Sequence, residues 1–151
     1  MINEVAHIGI TISDMERSIA FYRDVLGLKF LGELVMEGPE TDELFNLKNA
    51  KLRVAYLNGS EHIMAPAIEL IQFVNNETVI DEISLFKTSI SEICFRTDDI
   101  DQVYKHLIDN GVKCLSAPQA FDFTSDGFSK SKAIYFKDPD GIILELMEYI
   151  K

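Results

Sequence analysis

The stretch HIGITISDMERSIAFY, His7 to Tyr22, decides how this chain is read, because it recurs as EICFRTDDIDQVYKHL, Glu92 to Leu107. In each copy an apolar strand runs into an acidic turn, and the turn runs into an amphipathic helix closed by a glycine, Gly27 or Gly111. Ser13 or Asp14 can cap the first helix, and Asp98 or Asp99 the second. Met15, Ile19, Tyr22 and Leu26, spaced 4, 3 and 4, predict one apolar stripe; Ile100, Val103, Leu107 and Ile108 predict the other.

Outward from the two copies, the same order of elements follows. KFLGELVM (Lys29–Met36), KLRVAYL (Lys51–Leu57) and AIELIQF (Ala67–Phe73) have strand composition. Glu37–Ala50 is a polar loop with room for a helical turn, and NGSEHIMAP is rich in turn residues. After the second helix come a short strand VKCL (Val112–Leu115), a long loop APQAFDFTSDGFSKS (Ala117–Ser131), a strand KAIYFKD, a tight DPDG turn and a last strand IILELMEYI. The expectation is an α+β chain of two tandem β-α-β-β-β modules, with curved mixed sheets, helices outside and a cleft between the sheets. The modules span about 1–74 and 90–151 of a single domain, 1–151, joined by a connector at 75–89. Val79, Ile80, Ile83, Leu85 and Phe86 make that connector apolar enough to pack rather than swing.

Composition narrows the functions. The net charge of −11 disfavours nucleic acid and anionic membranes, which require clustered Lys and Arg. No apolar run approaches the roughly 20 residues of a membrane helix, and MINEVAHIG has no secretory-signal pattern. Two cysteines make no disulfide framework; Cys94 and Cys114 fit small core residues of a cytoplasmic protein.

The repeat pairs His7 with Glu92, and Glu69 with Glu145. Strand alternation puts His7 with Val5, Gly9 and Thr11, opposite the isoleucines that suit the helix. By the same rule Glu69 shares a face with Ile71 and Phe73, Glu92 with Cys94 and Arg96, and Glu145 with Ile143 and Met147. Carboxylates on apolar strands are costly unless compensated, and a divalent cation compensates three at once. One imidazole and three carboxylates form a hard, oxygen-rich set that suits Mg, Mn, Fe, Ni or Co and tolerates Zn.

The segments HIGITISDMERSIAFYRDVLGLKF, EICFRTDDIDQVYKHLIDNGV and YFKDPDGIILELMEY resemble the vicinal oxygen chelate superfamily, which includes glyoxalase I, methylmalonyl-CoA epimerase, extradiol dioxygenases and the fosfomycin- and bleomycin-resistance proteins. The resemblance implies a divalent metal held by His7, Glu69, Glu92 and Glu145. It also implies a lyase or isomerase that removes a proton next to a carbonyl, with Glu145 as base and Glu69 as its counterpart. The chain departs from the glyoxalase and epimerase branch at Glu92, where a histidine is usual. Two other functions fit the same superfamily: a non-catalytic binder of a drug or metabolite, and an Fe(II) dioxygenase using His7, Glu92 and Glu145.

Glu37–Ala50 and Pro118–Lys132 are expected to cover the cleft and to offer a small-molecule substrate Phe45, Phe121, Phe123 and Phe128. Arg96, on the face of Glu92, is the best cation for a carboxylate or phosphate; Arg53, Lys130 and Lys132 are others. His62 could line the pocket, whereas His106 suits a helix surface. The resemblance further implies a homodimer.

Overall fold

The structure, a computed structural model, describes residues 5–59, 66–82, 84–85 and 90–150. The chain divides into two compact units, Met1–Ile80 and Asp81–Lys151. Each holds one four-stranded mixed sheet, the expected α+β class. His62, Ile83 and Phe86 lie outside the described residues.

In the first unit β1 (His7–Thr11), β2 (Lys29–Glu37), β3 (Lys51–Asn58) and β4 (Ala67–Phe73) form a sheet in the order β1-β4-β3-β2. β1 runs parallel to β4, and the remaining pairs are antiparallel. α1 (Met15–Ala20) begins at Asp14, whose side chain accepts the Arg17 amide at 2.9 Å. It packs on β3 and β4. The predicted stripe is corrected here. The helix widens into a π turn over Phe21–Val25, with the Leu26 amide donating to the Phe21 carbonyl at 3.0 Å. The extra residue in that turn carries two consecutive aromatics inward. Phe21 and Tyr22 are both buried, edge to face at 5.2 Å, while Ile19 and Leu26 are only partly buried. Arg53 ties the layers together, donating to Glu33 of β2 at 2.6 Å and lying 2.7 Å from Glu16 of α1.

The other face of this sheet has an apolar end and a polar end. At the apolar end Ala50, Leu52 and Val54 are buried beneath Met36, Phe45, Leu47, Ile71 and Phe73. A large aliphatic side chain contributes about 1.5–3 kcal/mol when fully buried. Phe45 comes from the end of α2 (Pro39–Phe45), a helix of two turns where the sequence suggested a loop with room for a helical turn. The Asp42 carboxylate shapes the return to β3 by accepting the Asn49 and Ala50 amides at 2.9 and 2.7 Å.

In the second unit β5 (Ile93–Arg96), β6 (Gln119–Asp122), β7 (Lys130–Lys137) and β8 (Ile143–Ile150) are ordered β5-β8-β7-β6. Ile134, Phe136, Leu144 and Leu146 are buried, as are Ile100 and Leu107 of α3 (Ile100–Asp109). The helix is capped twice. Asp99 accepts the Gln102 amide at 2.9 Å, and Glu148 of β8 accepts the Ile100 amide at 2.9 Å. Ile108, assigned to the buried stripe from sequence, is exposed.

Two further readings are corrected. VKCL is not a strand: only Cys114 bridges to Phe136, and the edge resumes as β6 inside the predicted long loop. The interruption falls at Ser116–Pro118, where proline has no amide to give the ladder. In the connector Val79 and Ile80 are exposed, and among the described residues there no regular element is present.

Candidate metal and acid–base site

Two clusters of polar side chains stand on the sheets, one in each unit. In the first, Glu69 is the central residue. It is buried, with its side chain 11% exposed, on a strand otherwise filled by Ile68, Leu70 and Ile71. A carboxylate there requires partners. The Tyr56 hydroxyl donates to Glu69 Oε1 at 2.5 Å, and His7 Nε2 lies 3.1 Å from Oε2. All three positions follow from strand register. Tyr56 is the cross-strand partner of Glu69 on β3, and Gly9 is its partner on β1. Gly9 leaves room for the carboxylate: a Cβ there would stand 3.3 Å from Oε2 and 3.3 Å from Ile71 Cδ1. His7 and Tyr56 meet edge to face, 6.1 Å between ring centres. Burial pushes the Tyr56 phenol up to about 12, helped by the hydrogen bond to Glu69 and by its charge.

The second cluster is related but not identical. Glu145 is the register partner of Tyr135 on β7 and of Cys94 on β5. Cys94 therefore occupies the place that Gly9 holds in the first unit. It is exposed rather than in the core, which corrects the sequence reading; Cys114 is half-buried. Alternation explains this, because Ile93 takes the helix-facing position next to it. The thiol lies 3.7 Å from the Phe95 carbonyl, a weak bond. Desolvation pushes it up to about 12, with further contributions from its contact with Glu145 and then from the charge of Glu92. The Tyr135 phenol is raised as well, first by burial and then by the charges of Glu145 and Glu92. Glu92 is half-buried and lies just before β5 rather than within it.

The remaining predicted residues are more dispersed. Phe45 packs edge to face on Phe73 at 5.7 Å, inside the apolar cluster. Phe121 and Phe123 stack on each other, 5.7 Å apart and 7° from parallel, and Phe128 is exposed. Arg96 is exposed, 3.5 Å from Asp98. The other candidate cations are also engaged with acids of their own unit: Arg53 as above, Lys130 with Asp122 at 3.2 Å and Lys132 with Asp101 at 2.5 Å. An acid excess of 25 to 14 makes such pairing the expected fate of a surface cation.

The donor chemistry of the first cluster fits a hard divalent ion. An imidazole nitrogen and a carboxylate oxygen 3.1 Å apart have the spacing of neighbouring ligands on bonds of about 2.1 Å. Two donors do not complete a coordination sphere, and among the described residues no group of three or more His, Cys, Asp or Glu is gathered tightly enough to hold an ion.

Tyr56 and Tyr135 were not singled out in the sequence. Their signal is hidden because the hairpins differ in length. The intervals from Tyr56 to Tyr135 and from Glu69 to Glu145 are both shorter than the interval from His7 to Glu92. Pairing each hairpin separately would have placed a tyrosine opposite each glutamate.

Residues 4–146 match the family described as the Glyoxalase/Bleomycin resistance protein/Dioxygenase superfamily, and the chain belongs to it. It is 30% identical, over 97% of both chains, to the uncharacterized protein YaeR of Escherichia coli K12. It is 32% identical to the metallothiol transferase FosB of Staphylococcus epidermidis, over 97% of this chain and 84% of that one. A glyoxalase family protein from Bacillus cereus has the same fold, with a TM-score of 0.81 at 19% identity over 96% and 93% of the two chains. Among the described residues no helix is long and apolar enough to cross a membrane.

Proposed function

We propose that this protein is a metal-dependent lyase or isomerase that moves a proton next to a carbonyl group of a small molecule. The observation that carries the reading is the His7–Glu69 pair, an exposed imidazole on β1 and a buried carboxylate on β4 at the spacing of neighbouring metal ligands. His7 and Glu69 of the first unit, and Glu92 and Glu145 of the second, are the proposed ligands. A divalent ion, if bound, would supply a Lewis acid for the oxygens of the substrate. His7 presents Nε2, and Glu69 presents Oε2. Glu145 takes the proton and returns it. Its register neighbours suit that task, since Tyr135 and Cys94 stand beside it and neither is a cation that would pair with its charge. In this reading Phe121, Phe123 and Phe128 offer apolar surface to the substrate, Arg96 meets an anionic group, and the protein works as a cytoplasmic homodimer.

The test uses purified protein loaded with Mn, Co, Ni or Zn in turn and small α-hydroxy carbonyl compounds and their thiol adducts. Deuterium from solvent should enter the carbon next to the carbonyl. Glu145→Gln should slow this by roughly 10²–10⁴-fold. A protein that takes up no stoichiometric divalent ion, and binds its small molecules unchanged in Glu69→Gln and Glu145→Gln, is instead a binding protein.

A second reading has its own observation, the 32% identity to a metallothiol transferase. Under it the same ligand set serves metal-dependent transfer of a thiol. Consumption of a low-molecular-weight thiol with an electrophilic co-substrate, in place of deuterium exchange, identifies it.

A further inference from the structure

We propose that Tyr56 is a positioning residue that holds Glu69 as a one-oxygen ligand, turning Oε2 toward His7 and withholding Oε1. The inference rests on the reading in which His7 and Glu69 bind a divalent ion. The two oxygens of Glu69 have different partners. Oε1 accepts the Tyr56 hydroxyl at 2.5 Å, and Oε2 lies 3.1 Å from His7 Nε2. Two-oxygen ligation would make Oε1 divide its lone pairs between the ion and the phenol, and a partial turn of the carboxylate toward the ion would break the hydrogen bond from Tyr56. The surroundings oppose both. Tyr56 is fixed opposite Glu69 by the antiparallel register of β3 and β4, and its ring lies against the buried cluster of Leu52 and Val54. On the other flank the carboxylate lies close over Gly9, beside Ile71.

The second unit supplies the contrast. Tyr135 occupies the same register position opposite Glu145, yet among the described residues its hydroxyl makes no hydrogen bond to that carboxylate. Beside Glu145 in register lies the Cys94 thiol, a weak donor whose own hydrogen bond is to the Phe95 carbonyl at 3.7 Å. Equivalent carboxylates are thus treated differently: Glu69 is clamped by a phenol, and Glu145 is held only loosely. A fixed ligand needs the first arrangement. A group that approaches and leaves a substrate proton needs the second. Outer partners of this kind commonly account for roughly 10–100-fold in metal affinity.

The experiment adds Co(II) alone to the metal-free full chain and reads its affinity and visible spectrum. Tyr56→Phe, which keeps the ring, should weaken Co(II) binding at least tenfold and alter the ligand-field bands as a second oxygen reaches the ion. Tyr135→Phe should change affinity by less than twofold. In a Glu69→Gln background, Tyr56→Phe should have no further effect, because Tyr56 acts through that carboxylate. An unchanged affinity and spectrum in Tyr56→Phe overturns the positioning role, as does an effect that persists without Glu69. A parent chain that takes up no Co(II) overturns the metal reading and this inference together. Infrared spectra of the Co(II)-loaded parent chain, with ¹³C-glutamate for assignment, test the same point without any substitution. A wide separation of the carboxylate stretches is expected for Glu69, and a narrow, two-oxygen separation overturns the inference.

Discussion

At the scale of single residues, the first cluster solves a desolvation problem. Glu69 sits where an aliphatic residue would be expected, and a phenol and an imidazole meet its two oxygens. The phenol bears part of the cost, since burial and the carboxylate together raise its ionisation to about 12. The direction of the resulting pH dependence follows from linkage. A proton held more tightly in the folded chain contributes stability that is complete below the ordinary phenol range, near 10, and is lost as pH rises through about 12. Denaturant midpoints should therefore fall more steeply between pH 10 and 12 in the parent chain than in Tyr56→Phe. Equal slopes would remove the link between this phenol and the fold.

At the scale of elements, short helices and interrupted edges set what each sheet displays. α1 becomes a π turn so that Phe21 and Tyr22 can both reach the core. α2 and the turn after it bring Phe45 and Leu47 onto the apolar cluster, and Tyr56 links that cluster to Glu69 and His7. The return from α2 to β3 depends on Asp42, whose two oxygens each accept one backbone amide. Asp42→Ala should cost roughly 1.5–3 kcal/mol in urea unfolding, the usual worth of hydrogen bonds to a charged group. Asp42→Asn, with a single acceptor oxygen, should recover about half. A loss in Asp42→Ala no larger than that of an ordinary surface substitution, about 0.5 kcal/mol, would show that this turn holds without the carboxylate.

At the scale of the whole molecule, the duplicated plan gives each unit two of the proposed ligands: His7 and Glu69 in the first, Glu92 and Glu145 in the second. The net charge of −11 favours the approach of a divalent cation over that of an anion. Bound ion adds stability by mass action, about 2.7 kcal/mol at a hundred times its dissociation constant. For a chain of this length that corresponds to a rise of roughly 5–10 °C in the melting transition. Calorimetry with and without Mn or Co should show the rise in the parent chain, its reversal by chelator and its loss in Glu69→Gln. A shift retained in Glu69→Gln would place the ion elsewhere.

The duplication, the α+β class, the main strands and the placement of His7 and Glu69 away from the isoleucines that face α1 are legible along the chain. These follow from periodicity, which is local: a period of two fixes a strand's faces and a period near 3.6 fixes a helix's stripe. Register between distant strands emerges only when the chain has folded. It put Tyr56 opposite Glu69 and Tyr135 opposite Glu145, set Gly9 and Cys94 at equivalent places, and drew Phe45 into the packing on Phe73. Cross-strand partners are chosen by hairpin length and packing, and no spacing along one strand records them. The repeat in the sequence made the two halves look alike; the hydrogen bond from Tyr56 is where the structure makes them differ.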